Sequence, residues 1–249
     1  MLRNFLTAVS FLTIIPIPKK FFQKKYSLAS ALVYFPLVGF FLSLFILFLV
    51  SILETVFPER LVNFLLVLLP IIFTAGLHLD AVADFFDGFF QGKNKEDILR
   101  IMKDSHIGVW GVTGIIFCIL LKWELLMIVP VKKTAYILAL TLARWSHVFL
   151  SYSCPCARPE GGLGKLIAGK VEIQIFIRAS LLTLLVCLLL GMKGILIYGG
   201  VMVFVWLMSK VYKYKLGGIT GDILGATGEM VEIMVFVMVY FFLESNTFI

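Results

Sequence analysis

The sequence predicts an all-α fold, a polytopic integral membrane helical bundle that forms one domain over residues 1–249. Hydrophobic residues make up 61% of the chain and charged residues only 15%, whereas soluble chains average about 25% charged residues. The mean hydropathy is +1.02, and several apolar runs approach the roughly 17–25 residues that a membrane-spanning helix needs. These runs are continuous rather than alternating, which excludes a transmembrane β-barrel.

About seven spans are expected, together with a short N-terminal helix. Charged residues interrupt the third and fourth spans, with Lys122 and Glu124 in one and Arg144 in the other. The first 18 residues resemble a signal peptide but lack a small-x-small cleavage site and contain Pro16 and Pro18, so we expect a retained helix there. The predicted spans lie near residues 31–53, 61–77, 107–129, 134–152, 173–190, 194–212 and 228–243.

The distribution of basic residues between loops predicts the orientation in the membrane. Segments 19–25, 93–103, 158–170 and 210–215 together hold 14 lysines and arginines, while the loops on the other side hold four. Because cytoplasmic loops are enriched in Lys and Arg, the first set is expected on the cytoplasmic side of the cytoplasmic (inner) membrane. The net charge of +7 has the same explanation. Nucleic acid is not expected as a partner, since no basic cluster is interleaved with stacking aromatic residues.

Polar and glycine-rich segments gather on the same predicted side, at 78–106, 153–172 and 213–228. Transporters usually place such groups near the midplane, with access from both sides. The asymmetry therefore favours a multi-pass membrane enzyme whose active site faces the cytoplasm. The four cysteines are expected to be thiols, because Cys154 and Cys156 are too close for a zinc knuckle and have no second pair.

The first candidate site is LHLDAVADFFDGF, at residues 77–89. Asp80, Asp84 and Asp87 are spaced i, i+4 and i+7, and a helix places them within a sector of roughly 60°. Three carboxylates on one stripe repel one another, so the pattern favours a bound cation. Hard oxygen ligands suit Mg²⁺ or Mn²⁺. An exposed acidic helix face is the alternative.

Two further segments carry residue types suited to phosphate binding. In RIMKDSHIG, Lys103 and Asp104 precede a new apolar span, where helix N-terminal amides and a cation favour an anion. A helix cap with snorkelling basic residues is the alternative there. In GGITGDILGATGEMVE, at 217–232, glycines permit close backbone approach to a phosphate, and Asp222, Glu229 and Glu232 add acid. This second pattern is neither a Walker A loop nor a Rossmann fingerprint.

The remaining candidates are basic residues. Arg158 lies in the Gly/Pro-rich segment SCPCARPEGGLGK. Arg144 and His147 lie in the cytoplasmic half of the fourth predicted span, where ionisable residues are functional candidates. The structural alternative for Arg144 is snorkelling or pairing with a nearby acid.

In this order, the motifs resemble the cobalamin-5′-phosphate synthase family, also called the adenosylcobinamide-GDP ribazoletransferases. This chain departs from the family pattern at Ala81, Phe85, Phe86 and His106, where a glycine, two small residues and an arginine are usual. None of these departures removes an acid, although a histidine at 106 is mostly neutral at pH 7 and is not a permanent cation. The stretches that carry the resemblance are FLTIIPIP at 11–18, FPLVG at 35–39, GLHLDAVADFFDG at 76–88, IMKDSHIGVWG at 101–111, ARPEGGLG at 157–164 and the glycine-rich stretch at 217–232.

The resemblance implies an Mg²⁺-dependent phosphotransferase, with Mn²⁺ as the alternative metal. It would join adenosylcobinamide-GDP to α-ribazole or its 5′-phosphate and release GMP, the last assembly step of coenzyme B12 synthesis. Besides the lipid bilayer, a second copy of the chain and other corrinoid-pathway enzymes are candidate partners. The expected metal ligands are Asp80, Asp84, Asp87 and Asp222, and the expected catalytic residues are Asp80, Asp84, Lys103 and Asp104. The expected substrate-binding residues are His78, His106, Arg144, Arg158, Gly218, Thr220, Gly221 and Glu229.

Two other classes of protein would also use aspartates within membrane helices. A CDP-alcohol phosphotransferase-like lipid enzyme expects D-G-x-x-A-R followed by G-x-x-x-D-x-x-x-D, whereas this chain has D-A-V-A-D-F-F-D-G and no arginine in that place. A cation or proton transporter would use the aspartate stripe as its ion site, and it predicts polar residues balanced between the two faces. The observed asymmetry favours the phosphotransferase over both.

Overall fold

The structure is a computed structural model that describes residues 2–18, 21, 27–158, 160–162 and 164–244. These residues form helices joined by short loops and contain no β-strand, apart from one isolated bridge between Cys156 and Ile219. The predicted all-α class is confirmed, and so is the short N-terminal helix. The helices are α1 (Leu2–Leu12), α2 (Leu28–Ala31), α3 (Phe35–Leu53), α4 (Glu59–Phe73), α5 (Leu77–Gln91), α6 (Lys95–Ile101), α7 (Val109–Ile128), α8 (Lys132–Ser153), α9 (Gly164–Ile167), α10 (Ile173–Cys187), α11 (Gly191–Leu216) and α12 (Gly221–Glu244).

Each of the seven predicted spans coincides with a helix, but the number that cross the membrane is not confirmed. Within the described residues, four segments are long and apolar enough to cross a membrane, or five if α4 and α5 together form one bent span. The 22-residue helix α8 is not among them. A multi-pass helical membrane protein is therefore supported, without a fixed count. The four segments are Leu28–Leu53, Val109–Ile128, Ile173–Leu216 and Gly221–Leu243.

The segment Ile173–Leu216 contains two helices that fold back on each other. Ser180 on α10 and Tyr198 on α11 both contact Trp145, through a hydrogen bond of 3.0 Å and a ring separation of 4.9 Å, although 18 residues of straight helix would separate them by about 27 Å. The chain therefore reverses between them, at the 3₁₀ turn Leu188–Leu190 and at Gly191, whose φ is 57°.

Helix α8 lies at the centre of the bundle, packed against α3, α10, α11 and α12. Of its 22 residues 15 are buried, including the small residues Ala135, Ala139 and Ala143. Small residues let helix backbones approach closely in a membrane protein. Gly39 of α3 illustrates this, because a Cβ atom there would collide with the carbonyl group of Leu140.

A sharp bend between α4 and α5 directs α5, the helix that carries Asp80, Asp84 and Asp87, across the bundle. The two helix axes meet at 90°, and Ala75 and Gly76 adopt positive φ angles of 51° and 72° at the bend. Such angles cost little for glycine and more for alanine. Helix α5 then packs against α7 and α12.

The glycine-rich segment is mostly helical, which corrects its predicted placement in a loop over 213–228. Helix α11 continues to Leu216 and α12 already begins at Gly221. The Thr220 hydroxyl accepts a hydrogen bond from the amide of Ile223 at 3.3 Å, which is a helix N-cap contact. Gly225 and Gly228 lie inside α12 at positions where a larger residue would not fit, because Ala81 and His147 occupy the space that its side chain would need.

Candidate active site

Helices α5 and α12 bring three of the predicted acids together. Asp80 and Asp84 lie on α5, with Asp80 exposed and Asp84 half-buried, and Asp222 lies in the first turn of α12. Asp84 experiences the negative charges of Asp222, Asp80 and Asp87 and the positive charge of Arg158. The close approach of the helices depends on Gly225, where a Cβ atom would lie 2.5 Å from that of Ala81. The result is a carboxylate cluster, defined here as Asp80, Asp84 and Asp222.

Arg158 connects the carboxylate cluster to α6. Its guanidinium donates to Asp222 Oδ2 at 3.3 Å and to the Leu99 carbonyl of α6 at 2.8 Å. Thr220 also donates its hydroxyl to Asp222, at 3.2 Å. Asp222 is therefore oriented from two sides, and the positive charge of Arg158 partly offsets the repulsion within the cluster.

The position of Arg158 is fixed by a short backbone pairing. Ala157 donates its amide to the Ile219 carbonyl, and Ile219 donates to the Pro155 carbonyl, both at 2.9 Å. Gly218 must be small here, because a Cβ atom would collide with the Pro155 carbonyl. Gly218 thus has a packing role that the sequence did not indicate.

Asp87, the third acid of the predicted stripe, faces α7 rather than Asp222. Its carboxylate accepts hydrogen bonds from the amides of Gly108 at 2.7 Å and Gly111 at 2.9 Å, and from the Gln91 side chain at 2.6 Å. The side chain is buried, with 5% exposure. Both carboxylate oxygens are therefore occupied, and Asp87 caps the N-terminus of α7.

The loop before α7 holds Lys103, Asp104 and His106 at the surface. Asp104 Oδ1 accepts hydrogen bonds from the His106 amide at 3.0 Å and from His106 Nδ1 at 2.7 Å. The hydrogen bond from the His106 amide, assisted by its ring, lowers the pKa of Asp104. The Lys103 side chain is exposed and makes no ion pair within the described residues. Lys103 is thus available to an anionic ligand.

His78 lines a small cavity of about 60 Å³ beside Asp80 and Asp222. Its ring lies 5.3 Å from that of His147, in an edge-to-face arrangement. Neither His78 nitrogen, nor Nε2 of His147, has a hydrogen-bond partner in the structure. Buried polar atoms normally find a partner, and this cavity has room for water or one small polar group of a ligand.

Arg144 and Glu229 belong to a buried ionic network deeper in the bundle. Arg144 pairs with Glu232, and Lys122 of α7 pairs with both Glu229 and Glu232. Glu229 and Glu232 lie about 10 Å and about 15 Å along α12 from Asp222. Arg144 is thus paired with an acid, which was the structural alternative to a functional role for this residue.

Apart from Asp87 and His78, the predicted site residues therefore lie in three places. The carboxylate cluster gathers with Arg158 and Thr220, the loop carries Lys103, Asp104 and His106, and Arg144 and Glu229 lie below. Lys122 was not among the predicted site residues, and its ion pairs with Glu229 and Glu232 were not predicted. The signal that could have indicated this pairing is the presence of a basic residue in one apolar span and of acidic residues in another.

The acids of the cluster match a divalent cation in chemical type. Among the described residues, no three His, Cys, Asp or Glu side chains are arranged to hold a metal ion by themselves. However, Mg²⁺ commonly binds one or two carboxylates together with waters and substrate phosphates, rather than an all-protein cage. Asp80, Asp84 and Asp222 therefore fit a cation that is shared with a phosphate ligand.

Comparison with known proteins gives a consistent assignment. The family described as cobalamin-5-phosphate synthase matches residues 4–240. Curated relatives named adenosylcobinamide-GDP ribazoletransferase include one from Geotalea daltonii, 36% identical over 94% of this chain and 95% of the relative. Another, from Desulforamulus reducens, is 36% identical over 93% of this chain and 94% of the relative. A third, from Acetivibrio thermocellus, is 33% identical over 97% and 98%.

No solved structure matches the chain. The family match and the relatives each cover nearly its whole length. The chain belongs to the cobalamin-5-phosphate synthase family.

Proposed function

We propose that the protein transfers the adenosylcobinamide-phosphate group of adenosylcobinamide-GDP to α-ribazole or α-ribazole 5′-phosphate and releases GMP. The observation that carries the proposal is the convergence of Asp80, Asp84 and Asp222 from two helices, beside Arg158. Family membership and the names of the relatives support this activity over a CDP-alcohol phosphotransferase or an ion transporter.

In the proposed reaction, a ribazole hydroxyl oxygen forms a bond to the phosphorus attached to cobinamide, and the bond from that phosphorus to GMP breaks. Phosphoryl transfer of this kind depends mainly on positioning and charge stabilisation. The hydroxyl proton passes to a carboxylate. Asp104 and Asp222 are the candidates, and Asp104 is favoured because Asp222 is assigned to the metal and its Oδ2 already accepts hydrogen bonds from Arg158 and Thr220.

The carboxylate cluster would hold Mg²⁺, or Mn²⁺, through Asp80, Asp84 and Asp222. The cation, when bound, would neutralise charge on the pyrophosphate oxygens. We leave Asp87 out of this ligand set, because both of its oxygens already accept hydrogen bonds. Its proposed role is to hold the loop 103–106 near Asp84, by fixing the start of α7 against α5.

The cations have separate proposed tasks. Lys103 is exposed and forms no ion pair with the residues that the structure describes, so it can bind a phosphate of the GDP group. Arg158 orients Asp222 and offsets charge as GMP leaves. His106 would contact substrate from the same loop as Lys103, and His78 would donate a hydrogen bond to a small polar group in the cavity beside Asp80.

The deeper predicted residues are assigned to support of the site. Arg144 and Glu229 are committed to the ionic network, which fixes α7, α8 and α12 relative to one another. Gly218, Thr220 and Gly221 shape the turn that begins α12 and places Asp222. Substrate contact by the Gly221 amide remains part of the proposal, since helix N-termini favour anions.

The proposed location is the cytoplasmic membrane, with the carboxylate cluster on the cytoplasmic side. The support is the 14-to-four distribution of basic residues between the two sets of loops. Association with a second copy or with other corrinoid-pathway enzymes stays a prediction.

Release of GMP from adenosylcobinamide-GDP and α-ribazole by the purified protein tests the proposed activity. The Asp84→Asn variant should lose turnover while inserting into the membrane normally. Asp97→Asn is the matched control, because Asp97 is an acid of α6 that forms an ion pair with Arg100. Wild-type turnover by Asp84→Asn at saturating Mg²⁺ would contradict the role of Asp84. Formation of a lipid product from CDP-diacylglycerol, without GMP release, would contradict the activity itself.

A further inference from the structure

A larger cavity lies at the bend between α4 and α5, and Asp80 forms part of its wall. Its volume is about 590 Å³. Most of the wall is apolar and comes from three parts of the chain that meet here, the end of α1, the bend itself and α7. The apolar side chains are Phe11, Ile14, Leu77, Leu79 and Ile115. We call this the bend cavity.

The polar side chains in the wall of the bend cavity, other than Asp80, are already hydrogen-bonded. The Thr13 hydroxyl donates to the Val9 carbonyl and the Thr74 hydroxyl donates to the Pro70 carbonyl, both at 2.8 Å. The Ile14 amide donates to the Phe73 carbonyl, also at 2.8 Å. The cavity therefore suits an apolar group, with a carboxylate available where that group ends.

The two proposed substrates contain four large groups. Guanine and the adenine of the adenosyl group carry donors and acceptors along their edges, and burial of these groups against an apolar wall without partners is unfavourable. The corrin macrocycle, with its amide side chains, is bulky and polar at its periphery. The base of α-ribazole is a flat dimethylbenzimidazole, whose substituents are methyl groups. Of the four, this base matches the apolar wall.

We propose that the bend cavity binds the base of the acceptor nucleoside, with the ribose placed beside Asp80. This inference rests on the proposed function, since it assigns one of the two substrates of that reaction to a subsite. The base would lie between Ile115 on one side and the α4–α5 bend on the other. Ile115, Leu79 and Ile14 would then determine which bases are accepted.

The proposal predicts a preference among acceptors. Ribosides of benzimidazoles should be used well, and a purine riboside poorly, because its exocyclic amine would lose its water without gaining a partner. The two methyl groups of ribazole should each improve binding, since an added apolar carbon in a hydrophobic pocket changes selectivity by about 10-fold or more.

The decisive experiment compares Ile115→Trp with Ile116→Trp. Ile116 is the next residue of α7 and lines a different surface, beside Phe117 and Leu120. Filling the bend cavity through Ile115→Trp should raise KM for α-ribazole by about 10-fold or more and KM for adenosylcobinamide-GDP very little. The loss should be smaller for the unsubstituted benzimidazole riboside, and Ile116→Trp should behave as wild type. If Ile115→Trp does not fold, Ile115→Ala should instead improve the use of ribosides with larger bases.

A second measurement separates this proposal from the proposed activity. Equilibrium binding of α-ribazole alone, followed by the fluorescence of its base, should weaken in Ile115→Trp and not in Ile116→Trp. If the wild type binds α-ribazole in this manner but releases no GMP, the activity fails and the subsite stands. If GMP is released and Ile115→Trp changes only KM for adenosylcobinamide-GDP, or neither KM, the assignment of the bend cavity is overturned.

Discussion

The Asp87 carboxylate accepts a hydrogen bond from the Gly108 amide at 2.7 Å, across 21 residues of sequence. Together with the contact to Gly111, this bond fixes the first turn of α7 onto α5. Both glycines are needed, because a Cβ atom at either position would collide with the Asp87 carboxylate. Asp87 therefore connects the acidic helix to the loop that carries Lys103.

Replacement of Asp87 should show whether this residue positions the start of α7 or binds the metal. In Asp87→Asn the side-chain amide would face a backbone donor, so we expect stability to fall by about 1–2 kcal/mol and turnover to fall with it. Affinity for Mn²⁺, measured by electron paramagnetic resonance, should stay within about twofold, well under the tenfold that 1.4 kcal/mol represents. A loss of Mn²⁺ affinity equal to that of Asp84→Asn would instead make Asp87 a ligand.

Removal of the metal should abolish turnover and leave the fold intact. The negative charges of the carboxylate cluster are offset only in part by Arg158, so without a cation the cluster would repel the pyrophosphate of the substrate. Chelation with EDTA should therefore stop GMP release, and added Mg²⁺ should restore it. Asp84→Asn should weaken Mn²⁺ binding by tenfold or more, corresponding to about 1.4 kcal/mol. Asp97→Asn, on the exposed surface of α6, should bind Mn²⁺ as the wild type does. Full GMP release in the presence of EDTA would contradict the metal assignment.

Lys103 should contribute to binding of the nucleotide-activated substrate. Since its ammonium group is exposed and has no ion-pair partner in the described part of the chain, Lys103→Gln should raise KM for adenosylcobinamide-GDP several-fold and leave KM for α-ribazole unchanged. The effect should shrink at high salt, because exposed charges are screened. Lys93→Gln, which removes another exposed lysine of the same segment, is the control. Equal changes in the two variants would indicate a general charge effect rather than a specific contact.

The ionic network in the bundle should determine stability more than catalysis. Lys122→Met leaves Glu229 without its basic partner in an apolar environment, and removal of one member of a buried pair costs about 3–5 kcal/mol. We expect a large drop in the thermal unfolding midpoint, partly reversed in Lys122→Met/Glu229→Gln. Lys210→Met, at the exposed surface of α11, should unfold like the wild type. No drop in Lys122→Met would show that the network does not stabilise the bundle.

The orientation can be measured by cysteine labelling in a Cys156→Ser background. Thr55→Cys lies between α3 and α4, and Lys165→Cys lies in α9, on the side where basic residues predominate. A membrane-impermeant maleimide added to intact spheroplasts should label Thr55→Cys, and it should label Lys165→Cys only after lysis. The reverse pattern would place the carboxylate cluster outside the cytoplasm.

Much of the fold followed from hydropathy because apolar runs in lipid must satisfy their own backbone hydrogen bonds. Composition and run length sufficed for the all-α class, for a helix at each predicted span and for the short N-terminal helix. The predicted start of α12 was wrong by seven residues, because a glycine-rich stretch indicates a loop. Gly225 and Gly228 instead permit close packing against Ala81 and His147, which no local pattern reveals.

The sequence by itself determined the residue types of the site and the family to which the chain belongs. The i, i+4 spacing of Asp80 and Asp84 defines one helical face wherever the helix lies. Only the tertiary structure decided which acid joins them, because Asp222 arrives from a helix more than 130 residues away and Asp87 is turned toward the amides of α7. Likewise, Arg144 is paired with Glu232 because the interior of the bundle does not tolerate an isolated charge.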